Sequence, residues 1–261
     1  MNWMVFVQAL PIILVMGVIT WIISLVKKDV GVVDVLWPLM FLAAAIFYAS
    51  NTPDPGMAQW GLFSLVIIWS LRLSIHLLVR NWGEPEDRRY AAIRANNQPG
   101  FGFKSLYLIF GLQGLLSWII GITLFVGLTG SGEFGTLQVL GAALWLIGFV
   151  FEAIGDYQLL RFKKQSNTSG QVLRSGLWRY TRHPNYFGEF LIWWGFYCFT
   201  MTTAPVIGLI GPLFMSYLLM KFSGVPMLEK DITKRRGDYG DYIRQTNAFF
   251  PGPPKGNPTE A

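Results

Sequence analysis

The chain has 261 residues, 52% of them hydrophobic and 14% charged, with a mean hydropathy of +0.41. A soluble domain carries about 25% charged residues, so the composition excludes a disordered chain and argues against a water-soluble enzyme. The net charge of +6 reads as loop charge beside apolar helices, not as a nucleic-acid footprint. Cys198 is the single cysteine and His76 and His183 are the two histidines, so no internal disulfide and no metal site are expected.

A helical membrane span needs about 20 mostly apolar residues. Seven stretches qualify: Met4–Val26, Val32–Ser50, Met57–Val79, Ser105–Leu128, Leu137–Ile154, Tyr186–Thr200 and Val206–Lys221. The expectation is an all-α integral membrane protein with seven transmembrane helices. The first stretch lacks a basic leader and is followed by Lys27 and Lys28, so it reads as a span and not a signal peptide. Basic residues follow spans 1, 3, 5 and 7, whereas the connections after spans 2, 4 and 6 hold no Lys or Arg. That alternation puts the N-terminus outside and the C-terminus in the cytoplasm. One membrane-embedded domain over residues 1–251 is expected, then a flexible Pro- and Gly-rich tail over 252–261. The long basic connections 80–104, 155–183 and 222–261 carry Trp, Tyr and paired charges, and they read as ordered.

Ionisable residues inside a span are functional candidates by default. Asp34 lies near the cytoplasmic end of span 2, and Arg72 lies about two turns inside span 3. His76 and Arg80 follow Arg72 at i+4 and i+8 on one helical face. Glu189 lies one turn into span 6. These groups read either as an Asp34–Arg72 ion pair or as a polar cavity open to the cytoplasm. The connection 84–94, with Glu86, Asp87, Arg88 and Tyr90, reads as a solvated or cofactor-covering loop.

The string Gly176-Leu-Trp-Arg-Tyr-Thr-Arg-His-Pro-Asn-Tyr-Phe-Gly-Glu189 is the most informative. Pro184 suits the first position of a helix. Arg179, Arg182 and His183 then precede a helix N-terminus, a setting for a phosphate. Asn185 and Glu189 share a face and can hold an amide or a ribose, with Tyr186 beside them. Upstream, Glu152 and Asp156 share a face at the inner end of span 5, and Tyr157, Arg161 and Lys163 follow. Downstream, Glu229, Lys230 and Asp231 precede Tyr239, Tyr242 and Arg244, a charged helix on the membrane surface. The string Gly130-Ser-Gly-Glu-Phe-Gly135 matches a dinucleotide fingerprint in letters only, because it joins two membrane spans on the outer side and not a strand and a helix of a βαβ unit.

Taken together, Trp69-x-x-Arg72 through Arg80, Glu86-Asp-Arg-Arg-Tyr90, Asp156-Tyr157 and the Gly176–Glu189 string resemble the bacterial DUF1295 branch of the steroid 5α-reductase superfamily. The Arg-His-Pro-x-Tyr core is shared with membrane methyltransferases, and Asn185 and Glu189 favour the reductases. The resemblance implies NADPH in a cytoplasm-facing cavity of a bacterial inner-membrane protein. By the family pattern Asp156, Asn185 and Glu189 bind the cofactor. By position, Arg72, Arg80, Lys163, Arg179, Arg182, His183, Tyr186, Glu229, Tyr239 and Tyr242 join them. Animal members set a Glu of span 2 and a Tyr of span 3 against the steroid ketone; here those places hold Asp34 and Trp69. The implied reaction is NADPH-dependent reduction of the C=C bond of a Δ4-3-oxosteroid or similar lipid enone. Asp34 would be the neutral donor to the enolate oxygen, and Trp37 and Trp69 would line the slot. Membrane lipids, but neither nucleic acid nor a protein partner, are the implied surroundings. The alternative is an S-adenosylmethionine-dependent membrane methyltransferase, and a non-catalytic lipid-binding protein stands third.

Overall fold

In lipid every backbone N–H and C=O must be satisfied within the protein, so long apolar runs fold as helices. The structure, a computed structural model, describes residues 1–165, 170–222, 224–226, 228–229, 232 and 237–255. In chain order the helices are α1 (Trp3–Lys27), α2 (Val32–Ser50), α3 (Met57–Asn81), α4 (Arg88–Asn96), α5 (Phe101–Thr129), α6 (Thr136–Lys163), α7 (Pro184–Cys198), α8 (Pro205–Phe222) and α9 (Tyr239–Gln245). A π-helical turn at Leu106–Gly111 interrupts α5, and another, Leu218–Phe222, ends α8. No β-strand occurs among the described residues, so the Gly130–Gly135 string joins two helices and has no strand before it.

Six helices, α1, α2, α3, α5, α6 and α8, are long and apolar enough to cross a membrane, which makes this a multi-pass membrane protein. The expected sixth span, Tyr186–Thr200, is α7, and its 15 residues reach only about 22 Å at 1.5 Å per residue, short of the ~30 Å hydrocarbon layer. Backbone turns from Tyr197 to Thr200 and from Thr200 to Thr203 close the helix early. Along α1, Val7, Val15, Ile19, Ile22 and Val26 are exposed, as suits side chains bathed in lipid.

The chain divides into two compact units, residues 1–138 with 196–211, and residues 139–195 with 212–261. In the first unit Lys28 takes the left-handed conformation that ends α1, and Asp29 accepts from Gly31 N at 2.7 Å, so α2 starts after a tight turn. Pro38 withholds one donor from α2. Ser74 Oγ of α3 donates to Val35 O at 3.0 Å in the same stretch. Beneath the turn lies a core of Val30, Val33, Tyr90, Phe101, Ile109 and Phe110.

In the second unit α6 and α7 touch backbone to backbone. A Cβ on Gly148 would lie 2.6 Å from Gly188 O, and one on Gly188 would lie 2.5 Å from Glu152 N. The crossing brings Asp156, two turns past Gly148, against Asn185 in the first turn of α7. The C-terminal segment is laced to the 178–183 stretch: Arg182 N donates to Asn247 O, Thr181 Oγ1 to Phe249 O, and Gly252 N to Tyr180 O. Lys255 N donates to Gln245 O, so the first residues of the expected tail are held by backbone bonds. The rest of that tail (256–261), together with Lys230 and Asp231, lies outside the described residues.

Overpacking a filled contact costs about 1–3 kcal/mol or more. Gly188→Leu is therefore expected to lower the thermal midpoint in detergent by several degrees. Gly237→Ala, where a Cβ meets nothing within 4 Å, should leave it unchanged.

Candidate functional site

Ionisable side chains gather in one cluster in each unit. In the first, the Asp34 carboxylate in the first turn of α2 accepts from Tyr90 Oη at 2.5 Å. Two guanidiniums face the same carboxylate, Arg89 at 3.4 Å and Arg80 at 3.8 Å. Arg72, expected as an alternative partner, is not among the groups on Asp34; it lies half-buried further along α3 with His76. Asp34 thus accepts from Tyr90 and stands beside the two guanidiniums of Arg89 and Arg80. Burial, and then the negative charge of Asp34, raise Tyr90 well above the usual phenol range. The phenol therefore stays protonated and is the donor of the pair.

Tyr90 reaches Asp34 because α4 is clamped onto the α1–α2 turn. Asp87 caps α4 by accepting from Arg89 N at 2.9 Å. Glu86 accepts from Val30 N at 2.9 Å and from Arg94 at 2.7 and 2.8 Å. Arg94 also donates to Lys28 O at 3.1 Å, and its guanidinium lies 4.7 Å from the Phe101 ring centroid. Tyr90 and Ile93, three apart, are the apolar face that α4 turns to the core. That pairing was the available signal; a stretch otherwise so rich in charge reads as solvated loop instead.

Trp69 and Trp37 belong to an aromatic column. The Trp69 ring lies 5.8 Å from both Phe41 and Phe196, and Trp37 stands edge-on to Phe41 at 5.1 Å. Trp69 is fully buried, so it is a core residue and lines no open slot, whereas Trp37 is half-buried.

In the second unit Asn185 Nδ2 donates to Asp156 Oδ1 at 3.1 Å, and Glu189 accepts from Trp193 Nε1 at 3.0 Å. Asp156 and Glu189 are both buried. Trp178 Nε1 donates to Gly155 O at 3.1 Å, and Tyr242 Oη donates to Trp178 O at 2.5 Å. Tyr239 stands edge-on to Tyr242, and Tyr186 stacks on His183 at 5.6 Å. Lys163 ends α6 as an exposed residue.

The expected anion cradle of Arg179, Arg182 and His183 is not formed as a group. Arg182 is buried and binds Glu229 through two nitrogens, at 2.7 and 3.0 Å. It also donates to the carbonyls of Ile243 and Thr246. His183 Nε2 lies 3.0 Å from Glu229 Oε1. Both side chains turn toward the C-terminal segment because a buried guanidinium needs acceptors, and the carboxylate and carbonyls there supply them. Arg179 alone is exposed and has no hydrogen bond or ion pair to a described residue.

Residues 20–246 match the model of a family described as a protein of unknown function, DUF1295. The chain belongs to the DUF1295 family. That family is part of the steroid 5α-reductase superfamily. An uncharacterised protein of Schizosaccharomyces pombe is 25% identical to this DUF1295 protein, over 74% of this chain and 64% of its own. The very-long-chain enoyl-CoA reductase of Dictyostelium discoideum is 24% identical over 74% of this chain and 59% of its own. The mouse 3-oxo-5-alpha-steroid 4-dehydrogenase 1 is 41% identical over 22% of each chain. This chain therefore covers less than two thirds of the length of each of these relatives.

Burial alone would raise Glu229, but hydrogen bonds from His183 and Arg182 outweigh it and lower the carboxyl from 4.5 to about 2. Between those values the folded chain binds fewer protons here than the unfolded chain, so acid favours unfolding. The contribution is complete above pH 4.5 and is lost as the pH falls toward about 2. Thermal midpoints followed from pH 6 down to about 3 are expected to fall less steeply for Glu229→Gln than for the natural chain.

Proposed function

We propose that this DUF1295 protein is an NADPH-dependent membrane reductase. It saturates a carbon–carbon double bond conjugated to a carbonyl in a lipid, with a Δ4-3-oxosteroid as the first substrate to test. The observation that carries this reading is the Asp34–Tyr90 hydrogen bond flanked by Arg80 and Arg89. Family membership and the two named reductases among the relatives support it. The basic helix ends face the cytoplasm, where NADPH is found.

The residues of the second unit fit a nicotinamide dinucleotide. Asn185, held by Asp156, presents an amide, and the buried Glu189 presents a carboxylate for a hydroxyl or carboxamide. The unpartnered guanidinium of Arg179 suits a phosphate. Lys163, Tyr186, Tyr239 and Tyr242 complete the proposed cofactor set of this unit. His183, Arg182 and Glu229 hold the C-terminal segment in place for it. NADPH, when bound, would supply the hydride that ends on the β-carbon, and a proton from water would then complete the α-carbon.

The chain itself must stabilise the charge that develops on the carbonyl oxygen. Tyr90 Oη is the proposed donor: its one O–H, given to Asp34 here, would pass to the carbonyl oxygen when substrate binds, leaving Arg80 and Arg89 on the carboxylate. Asp34 keeps 18% of its side chain exposed, so a carbonyl can approach the pair. Arg80 and Arg89 balance the carboxylate, which keeps the site from carrying a net negative charge against a developing anion. Trp37 is the apolar neighbour proposed to meet the lipid.

The names of the relatives speak of a 3-oxo-steroid and of an enoyl-CoA, so both an oxosteroid enone and an enoyl thioester are substrates to test. Purified protein supplied with NADPH and either a Δ4-3-oxosteroid or a trans-2-enoyl thioester should consume at least one of them. Equal or faster turnover with NADH, or S-adenosylmethionine as the nucleotide retained on purification, would overturn the reading. Loss of one oxyanion donor costs about 10²–10³ in rate, so Tyr90→Phe should lower kcat by that order with KM little changed. Asn185→Ala and Glu189→Ala should weaken NADPH binding while the thermal midpoint stays near that of the natural chain.

A further inference from the structure

A groove of about 560 Å³ runs along the last three turns of α6, and it plays no part in the chemistry proposed above. Ile154, Gln158 and Arg161 lie at i, i+4 and i+7 on the face of α6 that lines it. Asp156 sits on the far side of the helix, bonded to Asn185. The opposite wall is Leu173 and Ser175. That wall is pinned, because Gln158 Oε1 accepts from Leu177 N at 3.0 Å. Gly176 has φ +63°, and Gln158 packs so closely on it that no Cβ fits. The groove is therefore a built feature.

Its chemistry is that of an amphiphile site. Ile154, Phe162 and Leu173 give it apolar walls, and Tyr157 adds a half-apolar ring. No Asp or Glu stands among the described residues that line it. Arg161, at its rim, is exposed and has no hydrogen bond or ion pair to any described residue. Ile154 and Tyr157 are likewise exposed. Arg161 lies 24 residues after Leu137, about 36 Å along the helix at 1.5 Å per residue. That is just beyond a hydrocarbon core of ~30 Å, at the depth of lipid headgroups. A free inorganic anion would leave the apolar walls unused, and a neutral lipid would leave Arg161 unpaired.

We propose that this groove binds one anionic phospholipid, its phosphate on the Arg161 guanidinium and its upper acyl chain against Ile154 and Leu173. Attraction between a basic residue and an anionic headgroup works at this depth, and Tyr157 supplies the interfacial ring. Among the described residues Arg161 has no hydrogen bond or ion pair to lose, so its substitution is expected to leave the fold intact.

The test compares the natural chain with Arg161→Gln and Arg161→Lys, each purified in a neutral detergent. The thermal midpoint is read with added phosphatidylglycerol, phosphatidylcholine or inorganic phosphate. A ligand bound only to the folded state raises the midpoint. Phosphatidylglycerol should raise it for the natural chain more than phosphatidylcholine does, and phosphate should not. Arg161→Gln should lose most of the phosphatidylglycerol increment while keeping the lipid-free midpoint, and Arg161→Lys should keep part of the increment. Ser175→Glu, which adds an anion on the opposite lip, should abolish the increment as well. An equal increment in the natural chain and in Arg161→Gln would overturn the assignment. So would an equal effect of phosphatidylcholine, or an effect of phosphate alone that matches phosphatidylglycerol.

Discussion

A charge carried into an apolar helix must find its counterpart within the protein, and that requirement shapes this chain around Asp34. The residue lies in the first turn of α2, where lipid-facing side chains offer nothing to bind it. Its partners come from two other elements, Arg80 at the end of α3 and Arg89 and Tyr90 on α4. Placing Tyr90 there requires α4 to lie against the α1–α2 turn. That position is secured by the forked Glu86–Arg94 pair and by the backbone groups of Val30 and Lys28. The cost of the buried carboxylate is thus offset by a surface helix whose other contacts are modest. The same arrangement holds a buried, protonated phenol against the carboxylate.

The second unit meets the same demand with a different outcome. Arg182 is buried, and its guanidinium is engaged by Glu229 and two backbone carbonyls. This ties the segment after α9 to the stretch before α7. Tyr242 on Trp178 and Trp178 on Gly155 extend the tie to α6. Asn185 and Asp156 are therefore held by an aromatic and ionic frame, as a binding pair must be if it is to hold a ligand in a fixed pose. Arg179 and Arg161 are exposed and have no hydrogen bond or ion pair to a described residue. They are the positions from which an outside anion can be bound.

The names of the relatives speak of a 3-oxo-steroid in one case and of an enoyl-CoA in the other. In the proposed reaction either class of enone places negative charge on a carbonyl oxygen when hydride arrives at the β-carbon. A site that provides a hydrogen-bond donor at that oxygen serves either. Selection between them rests on the shape of the apolar surroundings. In the first unit those surroundings differ from the expected tryptophan-lined slot, because Trp69 is packed between Phe41 and Phe196.

The amino-acid sequence by itself determined the membrane character, four of the long helices to within two residues and the family. Each of these follows from hydropathy over windows of about 20 residues or from contiguous strings such as Gly176–Glu189. It also indicated Asp34 and Glu189, since a charge in an apolar run is conspicuous, and Asp156 and Asn185 through contiguous strings that resemble the family. Only the tertiary structure decided what each of them touches. The choice of Tyr90 and Arg89 over Arg72 as partners of Asp34 depends on how α4 folds back across more than fifty residues. The diversion of Arg182 and His183 from an anion cradle to Glu229 depends on a carboxylate more than forty residues away. The shortness of α7 depends on turns made by Thr200, a residue that hydropathy counts as part of the span. Helix formation is local, so windows and strings capture it; pairing of buried charges is set by distance in space, which a linear pattern does not carry.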